Sequence, residues 1–210
     1  MLKVLIADDH AIVRKGLREI LARELENAIF GEARNAQEVL AEIQTHDWDL
    51  VILDVTMPGR SGLDVLKDLK VQQPNLPVLV LSMHPETQYG KRVLKSGASG
   101  YMNKDSAPEE LINAIRKVLD GRRYISPLLA EKLASDLSPG YKDFPHERLS
   151  DRELEVLRMI ASGKTNSQIA ETLCLSVTTV STYRARILDK MNMTTTAALM
   201  HYALSNHLLD

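Results

Sequence analysis

Val4-Leu5-Ile6-Ala7-Asp8-Asp9, near the start of the chain, joins a short apolar run to two adjacent carboxylates. Similar runs along the first half of the sequence end at Asp54, at Ser82 and, after Tyr101-Met102, at Lys104. Amphipathic segments separate them, which is the pattern of repeated β-α units and a parallel sheet. Ligands of such sheets bind outside the carboxyl ends of the strands, so the sequence predicts that these polar residues share one pocket.

The pattern predicts the elements of this first domain. We expect five strands, near residues 3–7, 28–33, 49–54, 77–82 and 98–102. Helices are predicted over Ala11 to Leu25 and Pro108 to Leu119, whose apolar residues recur at helical spacing. Asn35 and Ser61 precede two more helical stretches, and Pro58-Gly59 marks a tight connection after the third strand. The prediction is an α/β domain with a doubly wound, five-stranded parallel sheet over residues 1–120.

The remainder of the chain has a different pattern. Residues 121–147 are interrupted by glycine and proline, and we expect a linker there with a short helix over Leu128 to Leu137. Ser150 and Glu153 have the spacing of a capping box, and Gly163 ends the helix that they begin. Three more helices are expected, over residues 167–173, 177–191 and 195–204. Residues 148–210 are therefore predicted to form an all-α four-helix domain.

Composition restricts the class of protein. Apolar residues make up 44% of the chain, and no apolar run approaches the length of a membrane span, so we expect a water-soluble protein without a membrane partner. The chain begins without the pattern of a secretory signal, which favours the cytoplasm. Cys174 is the single cysteine, which excludes an internal disulfide, and its place on an apolar helical stripe predicts that it packs in the core.

Charge is distributed unevenly between the two predicted domains. Residues 1–120 carry a net charge of −3, and residues 148–210 carry a net charge of +1. Domains that bind nucleic acid usually have a clearer basic excess, so the charge of the second domain does not decide its function. The positions of the cations along the second domain are more informative about its function than its net charge.

The predicted pocket has the groups for phosphoryl chemistry. Clustered carboxylates of Asp8, Asp9 and Asp54 repel one another and call for a cation, for which Mg²⁺ is suited because it prefers oxygen ligands and bridges carboxylates to phosphate. Asp54 would be the nucleophile, with Lys104 neutralising charge and Ser82 donating to a phosphoryl oxygen. Taken singly, these residues could cap a helix, begin a turn or be solvated. Their joint occurrence at strand ends favours the functional interpretation.

Three segments resemble the receiver domain of two-component response regulators over about residues 1–120. They are Ala7-Asp8-Asp9-His10, Asp54-Val55-Thr56-Met57-Pro58-Gly59 and Gly97-Ala98-Ser99-Gly100-Tyr101-Met102-Asn103-Lys104. The resemblance implies a flavodoxin-like fold in which Asp54 accepts phosphate from a sensor histidine kinase. It also implies that Asp9 and Asp54 bind Mg²⁺ with help from Asp8 and the main-chain carbonyl of Thr56. Ser82 and Tyr101 would then be the switch pair that alters the protein surface.

The second domain contains a candidate DNA-reading unit. Residues 167–173, the connection Cys174-Leu175-Ser176 and residues 177–191 have the pattern of a helix-turn-helix, with the second helix in the recognition position. We expect Val180, Ile187 and Met191 to face the core. The exposed polar face suits phosphate and base contacts, although an ordinary solvated helix has the same periodicity. The residues expected on that face are Thr178, Ser181, Thr182, Arg184, Arg186 and Lys190.

Sequence motifs in this domain resemble the LuxR/FixJ-type DNA-binding domain over residues 148–209. They include Leu149-Ser150-Asp151-Arg152-Glu153, Gly163-Lys164-Thr165-Asn166 and Thr179-Val180-Ser181-Thr182-Tyr183. The resemblance implies that Lys164, Thr165, Asn166 and Ser167 lie by the DNA backbone and that the last helix helps to dimerise. The chain is thereby identified with the NarL/FixJ family, and its recognition helix is most similar to regulators of the BvgA and GacA kind. Many relatives have lysine where this chain has Ser181.

Together these features predict a phosphorylation-dependent DNA-binding transcription regulator. Its expected partners are a sensor histidine kinase, double-stranded promoter DNA, a second copy of the chain in the active state, and RNA polymerase. One alternative is a phosphate-independent DNA-binding regulator with a vestigial receiver. Another is an aspartyl-phosphate phosphohydrolase, but Thr56 stands where such an enzyme has a second acid, so we do not expect an enzyme.

Overall fold

A computed structural model describes residues 1–57, 60–137, 144–206 and 208–209, and the chain divides into two compact units, Met1–Leu137 and Ser138–Asp210. The predicted tight connection at Pro58-Gly59 and the linker residues Pro139-Gly140 lie outside the described residues. Among the helices that are described, none is long and apolar enough to cross a membrane.

The first unit is an alternating α/β fold. Its five strands form one parallel sheet in the order β2-β1-β3-β4-β5, which is the flavodoxin-like order, so the predicted fold class is confirmed. The strands are β1 Lys3–Ala7, β2 Ile29–Ala33, β3 Leu50–Asp54, β4 Val78–Ser82 and β5 Gly100–Asn103. The helices between and after them are α1 Ala11–Glu24, α2 Ala36–Thr45, α3 Gly62–Gln72, α4 Glu86–Lys95 and α5 Pro108–Leu119.

Local chemistry explains where these elements begin. The side chains of Asn35 and Ser61 cap α2 and α3 by accepting hydrogen bonds from backbone N–H groups, as their sequence positions predict. Every residue of β3 and β4 is buried, because helices cover both faces of the sheet centre. Val4, Ile52 and Ile115 belong to the apolar cluster that joins the sheet to α1 and α5. The sheet therefore presents its carboxyl edge from a rigid core.

A sixth helix, α6, spans Pro127–Asp136 and corresponds to the short helix expected over Leu128 to Leu137. Its N-cap is Ser126, whose side chain accepts a hydrogen bond from the Leu129 N–H. The helix lies within the first unit and packs against α4. The sequence assigns it to a linker, and nothing in its pattern indicated this packing partner.

Within its described residues, the second unit contains a short 3-10 helix, Pro145–Arg148, and the four predicted helices. These helices are α7 Asp151–Ala161, α8 Asn166–Thr172, α9 Val177–Lys190 and α10 Thr196–Ser205. Ser150 and Glu153 form the predicted capping box of α7, and Thr165 with Gln168 forms another at α8. Gly163 has a φ of +85°, the left-handed conformation that follows a helix end.

Cys174 differs from its predicted environment, because the structure exposes it. Helix α8 ends at Thr172, so Cys174 no longer follows the helical stripe and instead occupies the turn before α9 with a φ of +53°. The Leu175 N–H donates to the Ala170 carbonyl and closes this turn. Leu173 takes the buried position instead.

Candidate functional site

The carboxyl ends of β1, β3 and β5 meet in an acidic pocket, as the sequence predicts. Lys104 Nζ lies 2.7 Å from Asp54 Oδ2 and 2.6 Å from Asp8 Oδ2. Asp8 and Asp54 are almost completely buried, and only a tenth of the Lys104 side chain is exposed. A buried ammonium held between two carboxylates is a strong local charge that a phosphoryl group could meet.

The protein environment perturbs both partners of the central ion pair. Burial raises the pKa of Asp54 above its ordinary value, although Lys104 and the Thr56 N–H, which donates to Asp54 Oδ1 over 2.9 Å, oppose that effect. Burial alone would lower the pKa of Lys104, but the attraction of Asp54 and Asp8 outweighs it and raises that pKa. Lys104 is therefore cationic at neutral pH, and its charge stays in the pocket.

The first acidic pair fits a divalent cation. Single ligand atoms of Asp8, Asp9, His10 and Asp54 all lie within 4.8 Å of one another. Asp8 Oδ1 accepts a hydrogen bond from the His10 N–H. The buried Asp9 Oδ1 lies 2.8 Å from His10 Nδ1, but no described residue donates a hydrogen bond of suitable geometry to it. Carboxylate oxygens at this spacing are the donor set that Mg²⁺ prefers.

A glycine allows the backbone to pass close to Asp54. A Cβ on Gly62 would lie only 2.1 Å from the Asp54 carbonyl oxygen, and the Gly62 N–H donates to the Val55 carbonyl over 2.9 Å. Any other residue at the start of α3 would push the chain away from β3. The position of Asp54 at the pocket floor therefore depends on this glycine.

The predicted switch residues meet at His84. Ser82 Oγ accepts a hydrogen bond from the His84 N–H over 3.1 Å, and the hydroxyl of Tyr101 donates to the His84 carbonyl over 2.6 Å. Tyr101 is fully buried, and the His84 ring stacks on Tyr89 of α4. Thr56 Oγ1 is 3.4 Å from His84 Nε2, beside Asp54. His84 thus contacts Ser82 in the pocket, the predicted switch residue Tyr101, and Tyr89 of α4.

Arg14 is a pocket residue that sequence reasoning missed. It is 5% exposed, and its Nη1 donates to the Asp8 carbonyl over 2.7 Å while its Nε donates to Glu32 Oε2 over 3.1 Å. A buried arginine needs such partners. The available signal was its place on α1, six residues after Asp8, but a cation in an amphipathic helix usually faces solvent. Arg14 therefore holds the backbone carbonyl of Asp8, the first residue of the acidic pair, in place.

In the second unit, α9 has the predicted core and surface faces. Val180, Ile187 and Met191 are buried. The predicted DNA-facing residues that the structure exposes are Lys164, Thr165, Ser167, Thr178, Ser181, Thr182, Arg186 and Lys190, while Asn166 and Arg184 are half-buried. Asn166 Nδ2 donates to Ser181 Oγ over 3.2 Å, which links α8 to the first turns of α9. This face combines hydroxyl, amide and cationic donors suited to a phosphate backbone.

Two of the cations that are predicted to contact DNA, Lys190 and Arg184, pair with side chains of the protein. Lys190 Nζ lies 2.7 Å from Glu153 Oε2, and the Arg184 guanidinium donates to Thr196 Oγ1. Burial would raise the pKa of Glu153, but Lys190 and the capping contacts of Ser150 lower it. Lys190 is still 40% exposed at the side chain. It therefore holds α9 against α7, a structural role that its surface spacing did not indicate.

Two family models match separate stretches of the chain. The model for the response regulator receiver domain matches residues 4–116, and the model for bacterial regulatory proteins of the luxR family matches residues 147–203.

Proteins similar over their whole length include response regulator GacA of Pseudomonas aeruginosa and response regulator UvrY of Escherichia coli K12. GacA is 37% identical over 211 residues, which cover 100% of this chain and 99% of GacA. UvrY is 35% identical over 211 residues, which cover 100% of this chain and 97% of UvrY.

Among solved structures, RcsB of Salmonella enterica serovar Typhimurium, bound to promoter rprA in the presence of the phosphomimetic BeF3⁻, is similar with a TM-score of 0.66. Its sequence is 30% identical, with 98% of this chain and 100% of that chain covered. Another complex of RcsB with DNA has a TM-score of 0.60 at 28% identity, covering 97% of this chain and 98% of that chain.

Proposed function

The chain belongs to the two-component response regulators that join a receiver domain to a LuxR-family DNA-binding domain, and on that premise we propose that phosphorylation of Asp54 controls its binding to promoter DNA. One observation carries the proposal: Lys104 Nζ is 2.7 Å from Asp54 and 2.6 Å from Asp8, so a nucleophile, a cation and an acid share one pocket. Residues 1–120 would be the receiver, 121–147 the connection and 148–210 the DNA-binding domain.

In the proposed reaction an Asp54 carboxylate oxygen attacks the phosphorus of a phosphohistidine on the sensor kinase. The new O–P bond forms as the N–P bond breaks, and the imidazole nitrogen keeps the electron pair and takes a proton from solvent. Lys104 moves its charge from the carboxylates to the phosphoryl oxygens, where it stabilises the charge that develops during transfer. The Thr56 N–H keeps the Asp54 carboxylate oriented through its 2.9 Å hydrogen bond.

Asp8, Asp9, Asp54 and the main-chain carbonyl of Thr56 would hold Mg²⁺ in this pocket. When bound, Mg²⁺ supplies positive charge to the phosphoryl oxygens. The buried Asp9 Oδ1 and the 4.8 Å grouping of donor atoms support this assignment. Arg14 keeps the Asp8 backbone in place through its 2.7 Å hydrogen bond to the carbonyl.

In this proposal, Ser82 and Tyr101 are the residues that respond to the phosphoryl group on Asp54. Ser82 Oγ is the acceptor in its bond with the His84 N–H, and a hydroxyl can also donate its proton to a phosphoryl oxygen. When it turns to the phosphoryl group, the His84 segment loses that bond. Tyr101 already lies buried and holds the His84 carbonyl, so both switch residues act on the same short segment.

The output is promoter binding by a homodimer, with RNA polymerase as a further partner and the cytoplasm as the site of action. Exposed Thr178, Thr182 and Arg186 would contact DNA from α9. Lys164, in the turn before α8, and Ser167, in α8, would contact its backbone. Twofold symmetry of a dimer matches two half-sites of an operator.

The test is direct labelling of the full chain with acetyl phosphate and Mg²⁺, read by mass spectrometry of the intact protein and of its peptides. We expect one phosphoryl group, on the peptide that contains Asp54, and none in Asp54→Asn. Labelling of another residue, or unchanged labelling of the variant, would contradict the proposal. Continuous release of phosphate in large excess over protein would instead indicate the phosphohydrolase alternative.

A further inference from the structure

Helix α6 packs on a surface of α4 that we call the α4 seat. This surface is formed by Glu86, Gly90 and Lys91. Leu129 of α6 is fully buried, and its two methyl carbons lie 2.6 and 2.7 Å from the point where a Cβ of Gly90 would stand. Glycine weakens a helix interior, yet here it lies in the middle of α4. The missing side chain at Gly90 therefore provides the space that Leu129 fills.

The start of α6 is tied to the start of α4. Ser126, the N-cap of α6, accepts from the Leu129 N–H over 3.1 Å and donates its own proton to Glu86 Oε2 over 2.6 Å. Glu86 is the first residue of α4. Just before the cap, the Tyr124 N–H donates to the Ser99 carbonyl and holds the chain at the edge of β5. One hydroxyl thus serves both the cap of α6 and its anchor on α4.

The end of α6 is held by charge. Asp136 lies 2.7 Å from Lys91 of α4 and 3.2 Å from Lys132 of α6. Burial would raise the pKa of Asp136, but hydrogen bonds and charge from the two lysines lower it, so the carboxylate is ionised at neutral pH. Apolar packing at Leu129 is therefore flanked by a polar anchor at each end of α6.

A short segment connects this seat to the acidic pocket. His84 donates from its N–H to Ser82 Oγ and accepts at its carbonyl from Tyr101, and Glu86 follows two residues later. A change at the Ser82 hydroxyl therefore acts on His84, which lies two residues before the start of α4. Because Glu86 also accepts the hydrogen bond of Ser126, the pocket and α6 share a continuous set of contacts.

We propose that the α4 seat, formed by Glu86, Gly90 and Lys91, is a docking surface for α6 that phosphorylation of Asp54 releases. The inference rests on the proposed function, because it requires Ser82 to turn towards a phosphoryl oxygen. The His84 N–H then loses its acceptor, the segment before α4 shifts, and Glu86 withdraws from Ser126. Release of α6 frees the chain that leads to the second domain and uncovers the α4 face.

Hydrogen exchange of the full chain tests the release. Backbone amides of α6 are measured by mass spectrometry with and without beryllium fluoride and Mg²⁺, which mimic the phosphoryl group, in wild type and in Asp54→Ala. We expect exchange in α6 to become about tenfold faster in wild type and to stay unchanged in Asp54→Ala. Unchanged α6 exchange, while the amides around Lys104 gain protection, would overturn the inference and leave the proposed function standing. No change at Lys104 would mean that the proposed function itself fails.

Variants of the seat separate docking from helix stability. Gly90→Ala places a methyl against Leu129, and Glu86→Ala removes the anchor while leaving the Ser126 cap in place. We expect both to speed α6 exchange without the phosphate mimic by about fivefold or more. Glu86→Gln keeps an acceptor for Ser126 and should remain close to wild type, as should Glu131→Ala on the exposed face of α6. If Gly90→Ala and Glu86→Ala both exchange like wild type, the seat does not hold α6 and the inference is wrong.

Discussion

The acidic pocket and the proposed DNA-facing surface of α9 hold their charges in different ways. In the pocket, Lys104 and Asp54 are buried and paired at 2.7 Å, and the strand ends fix their positions. On α9, Thr182 and Arg186 are exposed, and the Thr182 hydroxyl donates to the Thr178 carbonyl of the same helix. Buried, preorganised groups contribute to chemistry, whereas exposed groups contribute to affinity when a partner arrives. Substitutions should therefore reduce reaction rate in the first region and binding strength in the second.

The largest effect is expected for Lys104→Ala. Removing the only cation within hydrogen-bonding distance of Asp54 among the described residues takes away charge stabilisation of the transferring group. We expect phosphorylation by acetyl phosphate to slow by about 100-fold or more, measured by mass spectrometry over time. Lys15→Ala, at an exposed position of α1, is the matched control and should keep the wild-type rate. A wild-type rate in Lys104→Ala would remove the distinction between the two regions.

A smaller loss of rate is expected for Arg14→Ala. The variant keeps every carboxylate but frees the Asp8 carbonyl from its 2.7 Å hydrogen bond, so the acidic pair loses its support. Residues that orient metal ligands typically contribute about 10- to 100-fold, and we expect Mg²⁺ affinity to fall by about that factor. Arg14→Lys should recover part of it. Titration of Mg²⁺ against the rate of phosphorylation separates weaker metal binding from general damage, since saturating Mg²⁺ should restore the rate.

In the second unit, we expect the Glu153–Lys190 ion pair to make the free energy of unfolding depend on pH. Because the folded-state pKa of Glu153 lies below its ordinary value of 4.5, its stabilising contribution is present above that pH and is lost as pH falls through the folded-state pKa. Glu153→Gln should remove about 2 kcal/mol of stability at neutral pH and flatten this acid dependence.

Urea unfolding followed by amide exchange in α7 measures this effect. The single tryptophan, Trp48, lies in the first unit, so its fluorescence is an internal control that should not change. An equally steep loss of stability in acid for Glu153→Gln would assign the pH effect to other groups.

The smallest effects are expected on α9, and they should differ between two cations. Arg186→Ala should weaken binding to a promoter fragment and lower the slope of affinity against salt by about one, as for one lost phosphate contact. Lys190→Ala should change that slope less, because its ammonium lies 2.7 Å from Glu153. Fluorescence anisotropy over a salt series measures both. Equal slopes for the two variants would show that exposure, rather than pairing, decides which cation reaches DNA.

Most of the fold could be predicted because its signals are local. Apolar runs that end in polar residues identify β1, β3 and β4, and side-chain caps mark the starts of α2, α3 and α7. Cys174 could not be predicted in this way. Its exposure depends on a left-handed turn at the end of α8. The apolar spacing in the sequence extends past the residue where the helix ends, so the spacing alone places Cys174 in the core.

The pocket was predictable where strand ends converge, and less so where helices meet. Asp8, Asp54 and Lys104 come together because parallel strands align their carboxyl ends. The contacts of Arg14 and the packing of Leu129 on Gly90 depend on which element each helix packs against. Helical periodicity predicts which face of a helix is buried, but it does not predict the element that covers that face. Lys190 is similar, because its pairing with Glu153 is a contact between helices far apart in sequence.

Equilibrium binding of the full chain to a promoter fragment, with and without acetyl phosphate and Mg²⁺, tests most directly whether the pocket controls the proposed DNA-facing surface. The fragment is one recovered by chromatin pull-down with the wild-type chain. We expect phosphorylation to tighten binding of wild type by about tenfold, within the range of ordinary allosteric coupling, and to leave Asp54→Ala unchanged. Equal affinity of phosphorylated wild type, untreated wild type and Asp54→Ala would contradict control by phosphate and favour a regulator whose receiver no longer signals.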